Sequence, residues 1–417
     1  MKTFFSFFLL FLLIWNSSAQ TPEILPPNYI QSVEFLGNAE FSGIPIIGLG
    51  QSISLKFDDL IGDEANYYYK ITHHNFDWTP SDLSKNEYLS GFDQMRIRNF
   101  KNSFNTLQIY THYKLNIPNS DTRALKVSGN YMLEIYDEQD EVVFSRRFIV
   151  YETLAGISAE VKRSRDLKHI NTRQVINFSV ISGDNLNIKN PDQNIHTLIF
   201  KNDNLQNSIY DLNPQYRMGH ELIYRYDQES SFNGGNEFLY FDTKDIRGTN
   251  VNIRRIEMGD IYEVYLYTDR VRANEVYTYQ PDINGAFVIN TLQGRNPNIE
   301  GEYTWVHFSL KNDQPLMEGE ELHIYGGFNN FALDESTLLT YNSKSGLYEG
   351  KRLFKQGFYN YTYVLRQQDG SIDEGFISGN FDKTENQYTI LAYYRAPGAR
   401  YDRVIGAGSA NSKDITN

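Results

Sequence analysis

The sequence predicts an all-β protein, built as two or three consecutive β-sandwich domains behind a cleaved signal peptide. Tyrosine and phenylalanine are abundant, 31 and 27 residues against three tryptophans, and such side chains favour strands. Alternating apolar and polar runs recur along the chain, whereas apolar residues at helical spacing are hard to find. Gly, Asn and Asp punctuate these runs at short intervals, as turns between strands require.

The N-terminus reads Met1-Lys2-Thr3, then an apolar run from Phe4 to Trp15 broken only by Ser6, then Asn16-Ser17-Ser18-Ala19 before Gln20. A charged start, an apolar stretch and small residues at Ser17 and Ala19 make residues 1–19 a signal peptide, with an uncleaved membrane anchor as the alternative. The apolar stretch is shorter than the roughly 20 residues a membrane helix needs, and no second one follows. The chain has no cysteine. That excludes lipid attachment, disulfides, thiolate metal sites and cysteine nucleophiles, so stability must come from burial. The formal net charge of -13 becomes about -14 once Lys2 is removed, which disfavours nucleic acid as a partner.

Residues 20–152 read as the first sandwich. Ser52-Ile53-Ser54-Leu55-Lys56-Phe57 and Tyr131-Met132-Leu133-Glu134-Ile135-Tyr136 alternate, Asp58 to Glu64 and Asp137 to Glu141 read as turns, and Val142 to Tyr151 is a closing strand. A middle β-rich domain spans 153–293, with strands at Gln174–Ile181, Ile195–Lys201, Glu221–Asp227, Phe238–Thr243 and Ile261–Thr268. Leu292 to Asn298 has the composition of a linker. The last domain occupies 294–400, starting with a strand at Tyr303–Leu310, and residues 401–417 form a polar tail with little to bury.

Candidate chemistry is sparse. His73-His74-Asn75-Phe76-Asp77-Trp78 concentrates metal-binding side chains, but neighbours on a strand face opposite ways, and no second histidine pair completes a site. A histidine pair in a packed strand, with Trp78 in the core or at a corner, is the preferred reading. The acidic pairs Asp58-Asp59 and Asp63-Glu64 read as turn residues. No Gly-x-Ser-x-Gly or Ser-x-x-Lys motif is present, and the glycines of Phe232-Asn233-Gly234-Gly235-Asn236 lead into a strand where a phosphate loop needs a helix. No catalytic, metal or cofactor residue is therefore assigned.

In the last domain, His323 to Phe331, Gly346 to Gly350 and Gly357 to Leu365 resemble the early-set, immunoglobulin-like modules related to starch and glycogen binding. Those modules offer flat aromatic rings, typically tryptophans, to the sugar. Phe331 and Tyr348 stand about where such rings belong, so they are the carbohydrate-site candidates if the domain binds glycan.

A longer resemblance runs through most of the mature chain. It includes Leu55 to Leu60, Tyr67 to Ile71, Asp77 to Ser81, Asn86 to Phe92, Asn102 to Thr106, Val161 to Asp166, Gly234 to Phe238, Tyr277 to Gly285, Thr384 to Thr389 and Arg400 to Arg403. In these runs the chain resembles the plug proteins of the type IX secretion system of the Bacteroidetes. The resemblance implies a non-enzymatic protein without cofactors, held in the periplasm at the inner side of the outer membrane. Its implied partner is a giant outer-membrane β-barrel translocon, whose periplasmic end it seals while the lateral gate is open. It does not say which residues touch the barrel; Lys162-Arg163-Ser164-Arg165 is one exposed basic stretch that would, or is simply a solvated loop. A carbohydrate-binding protein is the alternative, and a glycoside hydrolase a third reading.

Overall fold

The computed structural model describes residues 20–38 and 41–415, so the signal segment at 1–19 lies outside it. Strands take up 46% of the chain and helix 5%, which is the all-β architecture that the alternation predicts. Among the described residues no helix is long and apolar enough to cross a membrane.

Three hydrophobic cores organise the molecule. The first lies between a four-stranded sheet built on Ile53–Asp59 and Thr111–Ile117 and a five-stranded sheet built on Tyr68–His74, Gly129–Tyr136 and Val142–Tyr151. Register follows the alternation. Tyr131 and Leu133, both buried, pair across the sheet with His73 and Ile71, so a slip by one residue would expose this apolar row. Stacked rings fill the core, with Phe57 on Tyr113 at 5.1 Å and Tyr131 on Phe148 at 5.1 Å.

The second core lies between a sheet containing Ala155–Arg163, Arg173–Ser182 and Glu221–Tyr224 and a sheet in the order Asn204–Tyr210, Ile195–Lys201, Gln387–Tyr394, Arg403–Asn411. Two expected boundaries are corrected here. The expected loose tail at 401–417 is, over its described residues 401–415, part of the sandwich: Arg403–Asn411 pairs along Gln387–Tyr394, and Val404 and Ile405 are fully buried. Small side chains disguise this strand. A Cβ on Gly406 would stand 2.5 Å from the Ala155 carbonyl oxygen, and one on Gly408 would stand 2.7 Å from Ile157 Cβ, so low bulk here marks close packing.

The second correction concerns 153–293 and 294–400. Leu239–Asp242, Ile253–Met258, Tyr262–Leu266 and Phe287–Ile289 belong to the third sandwich, whose sheet also holds Tyr303–Lys311, Glu321–Tyr325, Leu338–Asn342, Leu347–Lys355 and Gly357–Arg366. The third sandwich is thus inserted into the second, which the chain re-enters at Gln387. Leu292 to Asn298 is no linker between domains, because Leu292 N donates to Lys244 O and Gln293 Nε2 to Asp245 Oδ1 within one sandwich. Gly, Asn and Pro mark a tight turn as readily as a boundary.

Candidate functional site

The histidine pair is built into the wall between domains. In the Tyr68–His74 strand both rings are buried, His73 at 3% and His74 at 2% exposure. His73 Nε2 donates to Ser128 O at 3.2 Å and Nδ1 accepts from Ser81 Oγ at 2.8 Å. His74 Nδ1 donates to Trp78 O at 3.0 Å and Nε2 accepts from Thr72 Oγ1 at 2.9 Å. Every ring nitrogen is engaged, which leaves no lone pair for a metal. Burial lowers the His73 pKa to about 4, so the ring stays neutral. Among the described residues no group of three or more His, Cys, Asp or Glu is placed to hold a metal ion.

Trp78 is fully buried in an apolar seam between the first two sandwiches, with Phe76 and Ile149 on one side and Leu198, Phe200, Leu391 and Val404 on the other. The Arg147 guanidinium lies 4.3 Å from its ring centroid. At the rim Phe76 N donates to Asp402 Oδ2 at 2.9 Å, and Arg395 clamps Asp402 through Nε and Nη2 at 2.7 and 2.8 Å. Tyr393 Oη donates to Asn130 Oδ1 at 2.8 Å.

Asp58 and Asp59 depart from their expected turn. Both continue the Ile53–Asp59 strand and are buried. Asp58 is the centre of the seam between the first and third sandwiches. Its Oδ2 accepts from Lys355 Nζ at 2.6 Å and from Tyr303 Oη at 2.7 Å, while Oδ1 meets His112 Nδ1 at 2.6 Å. Asp58 and Lys355 side chains are each 1% exposed. Burial works against the carboxylate charge, but the Lys355 ammonium and the bond from His112 outweigh it and hold the pKa below the usual range. Tyr110 places its ring under the ammonium at 4.1 Å and donates to Gly301 O at 2.9 Å.

The third seam joins the second and third sandwiches. Gln174 Nε2 donates to both Asp382 O and Thr384 O at 2.7 Å, Lys201 Nζ reaches Glu374 Oε2 at 3.1 Å, and Asn204 Nδ2 donates to Tyr325 Oη at 2.7 Å. Gly234 lets the chain cross here, because a Cβ on it would lie 2.0 Å from the Phe381 carbonyl oxygen. Each sandwich is therefore fastened to both others, and the three form a closed triangle.

The remaining candidates scatter. Phe331 is 5% exposed and packed against Tyr325 and Val364, so its ring is not presented on the surface as a sugar platform would be. Tyr348 is half-buried and lies against Tyr341 at 5.2 Å, and it does not line the two cavities that Phe331 borders. Asp63 and Glu64 are exposed in a turn. Lys162 and Arg163 lie in a strand, and Arg163 reaches Asp382 at 2.9 Å, so this stretch serves the second-third seam. Exposed apolar side chains gather instead at Ile61, Phe104, Leu107 and Ile109, on neighbouring loops of the first sandwich beside the third.

A family model described as the type 9 secretion system plug protein 1st domain matches residues 30–152. The crystal structure of a hypothetical protein from Parabacteroides merdae ATCC 43184 is 31% identical, covers 94% of this chain and 100% of its own, and superposes with a TM-score of 0.88. The chain belongs to the type 9 secretion system plug protein family. The match over 94% of the chain includes all three sandwiches, so their mutual arrangement recurs in that protein. A biofilm-associated protein BSP domain aligns at 8% identity over 96% of this chain and 62% of that one, with a TM-score of 0.18, too low to carry an argument. No curated protein matches the sequence.

The seam residues Lys355, Tyr303 and His112 escaped sequence reasoning. One signal was available: Asp58-Asp59 directly extends an alternating strand, with no glycine or proline before it.

Proposed function

We propose that this chain is a non-enzymatic stopper of the type IX secretion machinery, seated from the periplasm on the mouth of the giant outer-membrane β-barrel translocon. A pore wide enough for folded proteins leaks when open, and a seal must hold its shape against that opening. The observation that supports this reading best is the closed triangle of sandwiches, locked on all three sides by buried contacts. A chain of flexibly linked modules would fold away from the pore rather than block it. The apolar group at Ile61, Phe104, Leu107 and Ile109 suits a contact surface, since exposed apolar patches mark interaction sites. The apolar N-terminal run, read as a signal peptide, supports a periplasmic location.

Affinity purification of the tagged chain from detergent-solubilised envelopes of its own bacterium tests the reading. Recovery of a very large outer-membrane barrel, reduced when Phe104 and Ile109 become serine, is the expected result. Retention on glucan beads with no barrel in the eluate would overturn it.

A further inference from the structure

The third sandwich carries an open cleft whose lining includes none of the residues that fasten the three seams. It holds about 630 Å³ of open space over the strands Tyr262–Leu266, Tyr303–Lys311 and Leu347–Lys355, between the edge strand Ile253–Met258 and the strand Leu338–Asn342. Ligand sites typically enclose ~300–1,000 Å³.

A row of side chains crosses the strands beneath it. Register sets Arg255 opposite Tyr265, Tyr265 beside His307, and His307 opposite Lys351. The Arg255 guanidinium lies 3.9 Å from the Tyr265 centroid, and Tyr265 stacks on His307 at 4.1 Å with 11° between the planes. Arg255 and His307 approach from neighbouring strands on opposite sides, so both faces of Tyr265 are covered. Trp305 is covered by the Lys351 ammonium at 4.7 Å. Tyr265 therefore offers no bare face for a sugar or a base to stack on.

The edge strand loses its register between Ile253 and Arg255. In a regular strand Arg254 and Arg255 would face opposite ways; the bulge re-aims them, and both line the cleft. The neighbouring carboxylates are already engaged. Glu257 is held by Arg255 at 3.1 Å, Glu263 by His307, and Glu349 by Ser345 Oγ at 2.7 Å and Asn342 Nδ2 at 2.8 Å. Among the described residues Arg254 and Lys351 have no carboxylate partner, so the unused binding capacity is cationic.

We propose that this cleft binds an extended acidic segment of polypeptide, with its carboxylates on Arg254 and Lys351 and its backbone running across the Tyr265–His307 row. The row from Arg255 to Lys351 spans three strand spacings, ~14 Å, the reach of about four extended residues. A lone phosphate or carboxylate fills only part of it. Arginine suits such a ligand because its fork meets a carboxylate through two parallel bonds.

The test uses the full mature chain and fluorescein-labelled hexaglutamate, read by anisotropy at low ionic strength. A mature chain of net charge about -14 has no general attraction for this probe, so saturable binding reports a local cationic site. Binding is expected to weaken roughly tenfold or more in the R254Q/R255Q double variant and several-fold in Lys351→Gln, the loss due to removed charge-assisted bonds. Arg217→Gln, on an exposed strand of the second sandwich, is expected to change nothing. Should the double variant misfold, as judged by circular dichroism, Lys351→Gln carries the test alone. Absence of saturable binding, or equal binding by all variants, would overturn the proposal. So would displacement by inorganic phosphate or a sulfated oligosaccharide at concentrations matching unlabelled hexaglutamate.

Discussion

The seam between the first and second sandwiches and the seam between the first and third hold the same molecule together by different means. Around Trp78 the contact is a continuous apolar cluster, rimmed by hydrogen bonds. Around Asp58 it is a buried ion pair ringed by tyrosines. Apolar contacts are non-directional and tolerate small shifts. A buried ion pair gains little over well-packed apolar residues, yet breaking it leaves a stranded charge. The first seam thus supplies adhesion, and the second fixes the angle at which the third sandwich stands.

Four changes sharpen that contrast. Lys355→Met strands the Asp58 carboxylate in the seam and is expected to cost ~3–5 kcal/mol in denaturant unfolding, most of it recovered in the Asp58→Leu/Lys355→Met double variant. Failure of the double variant to recover would show that the pair contributes net stability and is more than a device of orientation. In the apolar seam Leu391→Ala is expected to cost ~2–5 kcal/mol through lost contact and a residual cavity. No partner substitution should rescue it.

Tyr393→Phe removes one hydroxyl at the rim and leaves Asn130 Oδ1 unpaired, at an expected ~1–3 kcal/mol in the same assay. The smallest effect is a change of pH slope. Glu237 is buried beside Tyr277 and Glu385, with Asp282, Arg272 and Lys413 nearby, and burial pushes its pKa up to about 7. A carboxyl with a raised folded-state pKa contributes stability that is present below the unfolded value and lost as pH rises through the folded one. Melting temperature should therefore fall between about pH 5 and pH 8 more steeply in the native chain than in Glu237→Gln. Equal slopes would remove Glu237 from the account. His73 acts at the other end: its lowered pKa gives stability that is lost as pH falls from about 6.5 toward 4.

Strands were legible wherever one face is buried and the other wet. Tyr303–Lys311 shows that alternation from Thr304 to Leu310, while Ile195–Lys201 and Val142–Tyr151 keep their expected limits although most of their side chains are buried on both faces. Arg403–Asn411 was hidden because its glycines and alanines carry little hydrophobic signal, though they permit close approach to Ala155 and Ile157. The insertion of one sandwich into another was equally hidden. Nothing local distinguishes the turn at Leu292 to Asn298 from a linker; the pairing of Ile195–Lys201 with Gln387–Tyr394 does, and those strands lie far apart in sequence. The histidine pair was readable from strand geometry alone. Lys355 was not, because a lysine at a strand end usually points to water, and its acidic partner arrives from another domain.

The measurement that meets the central claim most directly is the conductance of the purified translocon barrel in planar bilayers, with this chain added on the periplasmic side. The account predicts that the native chain reduces the open-barrel conductance to near baseline, and that Lys355→Met, with the third sandwich freed from its angle, closes it incompletely. Unchanged conductance in the presence of saturating native chain would contradict it.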